Sequence, residues 1–157
     1  MAGVQIHTVL RRATDDDKDF CYSVHKDAMY DVVYQIWGWQ EADQVDMFDR
    51  SWDPLKTQIV VVDGVQSGML VVERRASEIF LERIELSRRQ QGQGVGASIL
   101  KGLQEEARDA SMPLLLEVLT SNERAKALYL RLGFRIMDTH EHKINMRWDS
   151  VVEGPTA

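Results

Sequence analysis

Gln91-Gly92-Gln93-Gly94-Val95-Gly96-Ala97 is the stretch from which the rest of the chain can be read outward. It follows the apolar run Ile79–Leu86 and opens a stripe of Val95, Ile99, Leu100, Leu103 and Ala107 at helical spacing. Glycines at such a strand-to-helix junction let the backbone approach a ligand closely and turn its amides toward it. The helix start adds the positive end of a dipole, so the junction suits a phosphate or pyrophosphate. Arg88 and Arg89, just upstream, add positive charge.

Upstream of the junction, an alternating segment from Val4 to Ala13 predicts a first strand. Thr14 followed by Asp15, Asp16 and Asp17 marks a helix start, because a hydroxyl caps free amides and acids favour the dipole's positive end. Phe20, Cys21, Val24 and Ala28 then recur at helical spacing, and helical character runs to about Arg50 with a break near Gly38. Asp53-Pro54 ends it. Gln58–Val62, Met69–Glu73 and Ile79–Leu86 predict three strands, the first two joined by an Asp63-Gly64 hairpin. Downstream, Leu114–Leu119 reads as a buried strand. Ala125, Leu128, Tyr129 and Leu132 mark a helix capped by Gly133, and Phe134–Thr139 and Lys143–Trp148 are closing strands. The order β-α-α-β-β-β-α-β-α-β-β is that of a mixed α/β domain.

Three phosphate-binding patterns compete for the glycine stretch. A Walker loop needs Gly-Lys-Ser/Thr, and Gly96-Ala97-Ser98 has no lysine. Gly92-x-Gly94-x-x-Ala97 matches dinucleotide spacing, with Glu117 about twenty residues on as a ribose acid. Against it, the polar residues Ser87 to Gln91 separate strand from glycine, where that fingerprint turns directly off the strand. The third pattern is Gln91-x-x-Gly94-x-Gly96, which resembles the pyrophosphate-binding signature of the GNAT superfamily of acyl-CoA N-acyltransferases. Downstream, Asn122-x-x-Ala125-x-x-Leu128-Tyr129-x-x-x-Gly133-Phe134 is similar to that family's other main motif. The two stand in the family's order, and Ile79–Leu86 looks like its fourth strand. The first 55 or so residues match in element order alone.

The resemblance implies a twisted mixed sheet of about seven strands with about four helices, in one domain spanning 1–157. It implies a splay between the fourth and fifth strands that admits the pantetheine arm. The expected activity is direct transfer of an acetyl group from acetyl-CoA to a primary amine of a small molecule or peptide, with no metal. Gln91, Gly92, Gln93, Gly94, Val95, Gly96 and Ala97 are then the pyrophosphate cradle. The backbone of Ile84, Glu85 and Leu86 borders the acetyl group and supplies an oxyanion donor. Asn122 helps hold the pantetheine arm besides capping a helix. Tyr129 corresponds to the general acid that protonates the departing thiolate. An ammonium cannot attack, so a base must take its proton. Glu82 and Glu85 are the candidates on that strand; alternation turns them to opposite faces, and Glu82 is preferred. Tyr30, Trp37 and Trp39 lie in the segment expected to border the acceptor, where aromatic faces attract a cationic amine. A non-catalytic acyl-CoA-binding module and a dinucleotide-binding oxidoreductase are the alternatives.

Composition agrees without deciding. The chain has 157 residues, 44% hydrophobic and 28% charged, with a formal charge of −6 that disfavours nucleic acid as partner. No apolar run reaches the length of a membrane span, and MAGVQIHTVLRRAT lacks the apolar stretch of a secretory signal. The single cysteine, Cys21, fits a reducing compartment, so the expected location is cytoplasmic. It falls on the apolar face of the first helix and reads as core. His140-x-His142 lacks the further Cys or His that zinc needs. The tail Val151–Ala157 reads as frayed, with Val151 and Val152 as candidates for packing in a homodimer.

Overall fold

The computed structural model of the chain describes residues 6–150, so the tail with Val151 and Val152, and the start of the first predicted strand, lie outside the described residues. The elements in chain order are β1 (Thr8–Arg12), α1 (Lys18–Trp37), α2 (Glu41–Ser51), β2 (Thr57–Val62), β3 (Val65–Arg74), β4 (Ile79–Leu86), α3 (Val95–Asp109), β5 (Leu114–Leu119), α4 (Glu123–Arg131), β6 (Arg135–His140) and β7 (Lys143–Trp148). The strands form one seven-stranded sheet of order β1-β2-β3-β4-β5-β7-β6. This is the mixed α/β architecture expected. β1/β2, β2/β3, β5/β7 and β6/β7 pair antiparallel; β4 and β5 pair parallel, over Ile79–Leu81 against Leu114–Leu116.

The described residues cluster into two compact units, one comprising the chain up to Val72 with Arg83–Gly96, the other Glu73–Glu82 with the chain from Ala97 onward. In the first unit, α1 stops where Gly38 adopts φ +73° and its N–H returns to the Tyr34 carbonyl at 2.9 Å. Asp63 and Gly64 both have positive φ, 49° and 80°, the requirement of a two-residue turn that matches strand twist. Along β3 the register slips, Val60 facing Gly68 but Val61 facing Gln66, so Ser67 is an extra, bulged residue. At Gly68 a Cβ would lie 2.4 Å from the Glu85 carbonyl oxygen and 2.7 Å from Leu86 Cδ2. Only glycine lets β3 come that close to β4 at Glu85. Ala13, Cys21, Phe48, Ile59 and Met69 make the buried apolar cluster of this unit.

The second unit is built on alternation. β5 buries Leu114, Leu116 and Val118, and these pair across to Trp148, Met146 and Ile144 of β7, all buried as well. β5 is the buried strand that the sequence predicts, with its buried residues on one face and Glu117 exposed on the other. The stripe Ile99, Leu100, Leu103 and Ala107 of α3 is buried. Gln104 Nε2 donates to the Leu132 carbonyl at 2.8 Å, satisfying an acceptor that the end of α4 leaves free.

Candidate active site

Within the first unit, β4 runs out at Leu86 into a single 3-10 turn, Arg88–Gln90, and then into the glycine stretch. The turn is fastened to α1: the Arg88 N–H donates to Asp27 Oδ2 at 2.7 Å, and its guanidinium lies 3.4 Å from Asp27 and 3.6 Å from Asp31. Gln91 Nε2 donates to the Leu86 carbonyl at 3.0 Å, and Gln93 Nε2 to the Arg89 carbonyl at 3.1 Å. The glutamines thus hold the loop's carbonyls. Gly92 and Gly94 have φ of 77° and 84°, the left-handed region that glycine enters without cost. A Cβ on Gly94 would meet nothing within 4 Å, so the loop faces open space where it leads into α3. The first amides of a helix have no intrahelical acceptor, which makes this stretch suited to an anionic ligand. Gln90 Oε1 is buried here with no hydrogen-bond partner among the described residues, a free acceptor beside the loop.

One turn of chain earlier, the buried carboxylate is Glu85; Glu82 is exposed. Glu85 Oε1 and Oε2 lie 3.0 and 3.3 Å from His25 Nδ1 on α1. Arg83 Nη1 is 2.8 Å from the same nitrogen and 3.5 Å from Glu85 Oε1. His25 Nε2 is 3.3 Å from Gln44 Oε1 on α2. The imidazole is ringed by Phe48, Trp39 and Tyr22, at centroid distances of 5.7, 6.0 and 6.3 Å. Arg83 stacks its guanidinium over Phe48 at 5.6 Å. His25, Arg83 and Gln44 are absent from the sequence-based site. The one available signal is position: His25 sits four residues after Cys21, a titratable residue on the buried stripe of α1. Its partner, 60 residues away, leaves no local mark.

Of the aromatic candidates, Tyr30 and Trp37 are on α1 and Trp39 is in the link between α1 and α2. Tyr30 stacks on Tyr34 at 5.8 Å and lies 5.2 Å from Trp39. Trp39 Nε1 donates to Glu41 Oε2 at 2.7 Å, while the Tyr22 hydroxyl donates to Oε1 at 2.7 Å. With Lys26 at 2.9 Å, these donors hold the Glu41 carboxyl down to about 2. Burial, and the bond to Glu41, push the Tyr22 phenol up to about 12. Trp37 is 55% exposed. A groove of about 510 Å³ runs along α1, lined by Phe20, Ser23, Asp27, Tyr30, Ser87 and Arg88 among others. Cys21 is fully buried, and burial pushes its thiol up to about 12, leaving it protonated and unreactive.

In the second unit, Asn122 Oδ1 accepts the Ala125 N–H at 3.3 Å and caps α4. Two turns further along the helix, Tyr129 is 7% exposed, with its ring 5.7 Å from Phe134. Gly133, at φ +93°, ends the segment, and the Phe134 N–H returns to the Tyr129 carbonyl. The motif Asn122 to Phe134 is thus one capped helix from start to stop. Among the described residues no group of three or more His, Cys, Asp or Glu could hold a metal ion, and no helix is long and apolar enough to cross a membrane.

This arrangement of strand, glycine loop, capped helix and closing hairpin has known counterparts. Residues 14–134 match the acetyltransferase (GNAT) family. The chain belongs to that family. GNAT relatives of known structure share the fold at low identity. The PaiA N-acetyltransferase of Thermoplasma acidophilum, crystallised with coenzyme A, superposes with a TM-score of 0.76 at 14% identity, over 92% of this chain and 99% of that one. The ribosomal-protein-S18-alanine N-acetyltransferase of Escherichia coli gives 0.66 at 20%, over 96% and 99%. An acetyltransferase of Thermus thermophilus gives 0.68 at 19%, over 89% and 94%. No curated protein sequence matches the chain. At such identities the shared GNAT fold is what these structures establish.

Proposed function

We propose that the protein transfers the acetyl group of acetyl-CoA directly to a primary amine. The observation that carries the reading is the pair of left-handed glycines, Gly92 and Gly94, in an open loop that leads straight into α3. A donor-rich loop of this kind accommodates the pyrophosphate of acetyl-CoA on the amides from Gly92 to Ala97, with Gln91 and Gln93 keeping the carbonyls turned away. Backbone amides of Ile84 to Leu86 are the oxyanion donors, and Gly68 fixes that backbone from the β3 side. Asn122 serves the pantetheine arm through the helix it caps.

Between the two carboxylates of β4, Glu85 is the base in this reading. Its burial strengthens its interaction with a bound ammonium, and His25 fixes the direction of its lone pairs. The amine loses a proton to Glu85 and attacks the thioester carbonyl; the thiolate leaves and takes its proton from Tyr129. Tyr30, Trp37 and Trp39 receive the acceptor's apolar and cationic parts. Family membership and the coenzyme A complex of the PaiA enzyme support the choice of cosubstrate.

Calorimetric titration with acetyl-CoA, with NADH in parallel, tests the reading. Micromolar acetyl-CoA binding without NADH binding is expected. Silence with acetyl-CoA removes the proposal, and NADH binding alone replaces it by the dinucleotide reading. Thiol release over an amine panel then separates an enzyme from a binding module. Tyr129→Phe should slow that release about tenfold at unchanged acetyl-CoA affinity.

A further inference from the structure

His25 Nδ1 faces two groups with opposite requirements. Arg83 Nη1, at 2.8 Å, can only donate; Glu85 Oε1, at 3.0 Å, accepts when it is a carboxylate. A ring nitrogen offers either one lone pair or one N–H, never both. On the other side of the ring Nε2 faces Gln44 Oε1, an acceptor, at 3.3 Å, which places a proton on Nε2. The open question at Nδ1 is therefore a single proton.

Three states follow. Without that proton, Nδ1 accepts from Arg83, and the guanidinium, 3.5 Å from Oε1, balances the Glu85 carboxylate. With it, the proton resides either on Glu85, donated to Nδ1, or on Nδ1, donated to Glu85. The last two are the same proton at opposite ends of one 3.0 Å line. Phe48, Trp39 and Tyr22 prevent the ring from turning away. The charged and titratable groups about it are Arg83 and Glu85 from β4, Tyr22 from α1, and Glu41 from α2, the last tied to Tyr22 and Lys26.

We infer that His25 and Glu85 act as one proton-sharing pair, with His25 the positioning residue that returns Glu85 to its carboxylate form. The inference rests on the reading of Glu85 as the base. In the step, an N–H bond of the acceptor ammonium breaks and an O–H bond forms on Glu85. That O–H then breaks as Nδ1–H forms, and the imidazolium gives the proton to solvent after the product leaves. Atoms and charge balance without a further reactant.

The test compares His25→Asn, His25→Leu and Glu85→Gln in the full chain, using the amine that releases thiol fastest. Asn keeps a donor toward Glu85 but no transferable proton. Expected are a tenfold or larger fall in kcat for His25→Asn, an unchanged acetyl-CoA KM, and an acid limb of kcat/KM displaced to lower pH. The displacement follows because the pair holds its shared proton more readily than the carboxylate alone, so removing the ring removes half of that shared acceptor. Wild-type kcat with an unmoved acid limb in His25→Asn overturns the inference, as does restoration by Asn of a rate lost in His25→Leu. Should both variants fail to fold, long-range proton–nitrogen spectra of the wild-type His25 ring decide. A proton on Nε2 at neutral pH supports the pair, and a bare Nε2 overturns it. Wild-type turnover in Glu85→Gln instead rejects the base itself, which separates the failure of the underlying reading from that of the pair.

Discussion

The two units of the chain differ in what they bury beside their apolar residues. Of the buried polar or charged residues among the described ones, Asp17, His25, Gln44, Thr57, Ser67 and Glu85 belong to the first unit and Gln104 alone to the second. A polar group in an interior costs stability unless it is paired. The first unit meets that cost with specific pairings: His25 with Glu85 and the Ser87 amide with the Ser67 carbonyl across long stretches of chain, and Arg11 with Asp17 six residues on. The second unit avoids it, stacking Leu114, Leu116 and Val118 on Trp148, Met146 and Ile144. The first unit thus carries paired polar groups within its apolar interior, while the second relies almost wholly on apolar fit.

The largest effect expected from this contrast is on stability, in the second unit. Leu116 is 2% exposed and paired with Met146, so Leu116→Ala leaves a cavity and should cost about 3 kcal/mol. Urea denaturation measures it, and the Gly92–Gly94 loop should bind acetyl-CoA with near wild-type affinity once the variant is folded. A cost under about 1 kcal/mol would break the claim that the second unit depends on close packing.

A smaller effect is expected at the glycine loop. At Gly94 the open space means that Val meets no clash; the penalty comes from φ +84°, which a β-branched residue adopts at a cost of roughly 1–2 kcal/mol. Gly94→Val should therefore weaken acetyl-CoA binding about tenfold while barely changing the melting temperature, since the loop can relax into solvent. Unchanged affinity, measured by calorimetry, would remove the loop from the cofactor site.

The contrast also accounts for what the sequence makes legible. Local patterns identify nearly every element: β4, β5 and β7 have the predicted limits, Gly38 divides the helices, and Asn122 and Gly133 bound α4. These features depend on neighbours within a few residues, as caps, turns and alternation do. The glycine loop is legible for the same reason. The buried network of the first unit is not, because His25, Gln44, Arg83 and Glu85 come from three elements and each has an ordinary local context. Thr14 marks the same limit on a smaller scale. It caps the turn before α1 as its hydroxyl suggests, in a capping box whose other half is the Thr14 N–H donating to the Asp17 carboxylate at 2.8 Å, but Arg11, which completes the site from β1, leaves no such local mark.

That last cluster offers the mildest test of the comparison. Arg11 grips Asp17 in a fork, Nη1 to Oδ2 at 3.0 Å and Nη2 to Oδ1 at 2.8 Å, with the Thr14 N–H as a third donor. The fork, and then the backbone donor, hold the Asp17 carboxyl down to about 2, against desolvation acting the other way. A depressed folded-state value means that the stability is fully present above the unfolded value, about 3.9, and is lost as pH falls toward 2. Arg11 is partly exposed, so solvent screening reduces the contribution to about 1 kcal/mol. Denaturation at pH 7 and at pH 2.5 should show Asp17→Asn destabilised at the higher pH and nearly level with wild type at the lower. Salt should narrow the gap only modestly, because the carboxylate end of the pair is buried. An equal gap at both pH values would mean that the amide of the Asp17→Asn variant fails by shape rather than by charge, and the first unit would then depend on fit as much as the second does.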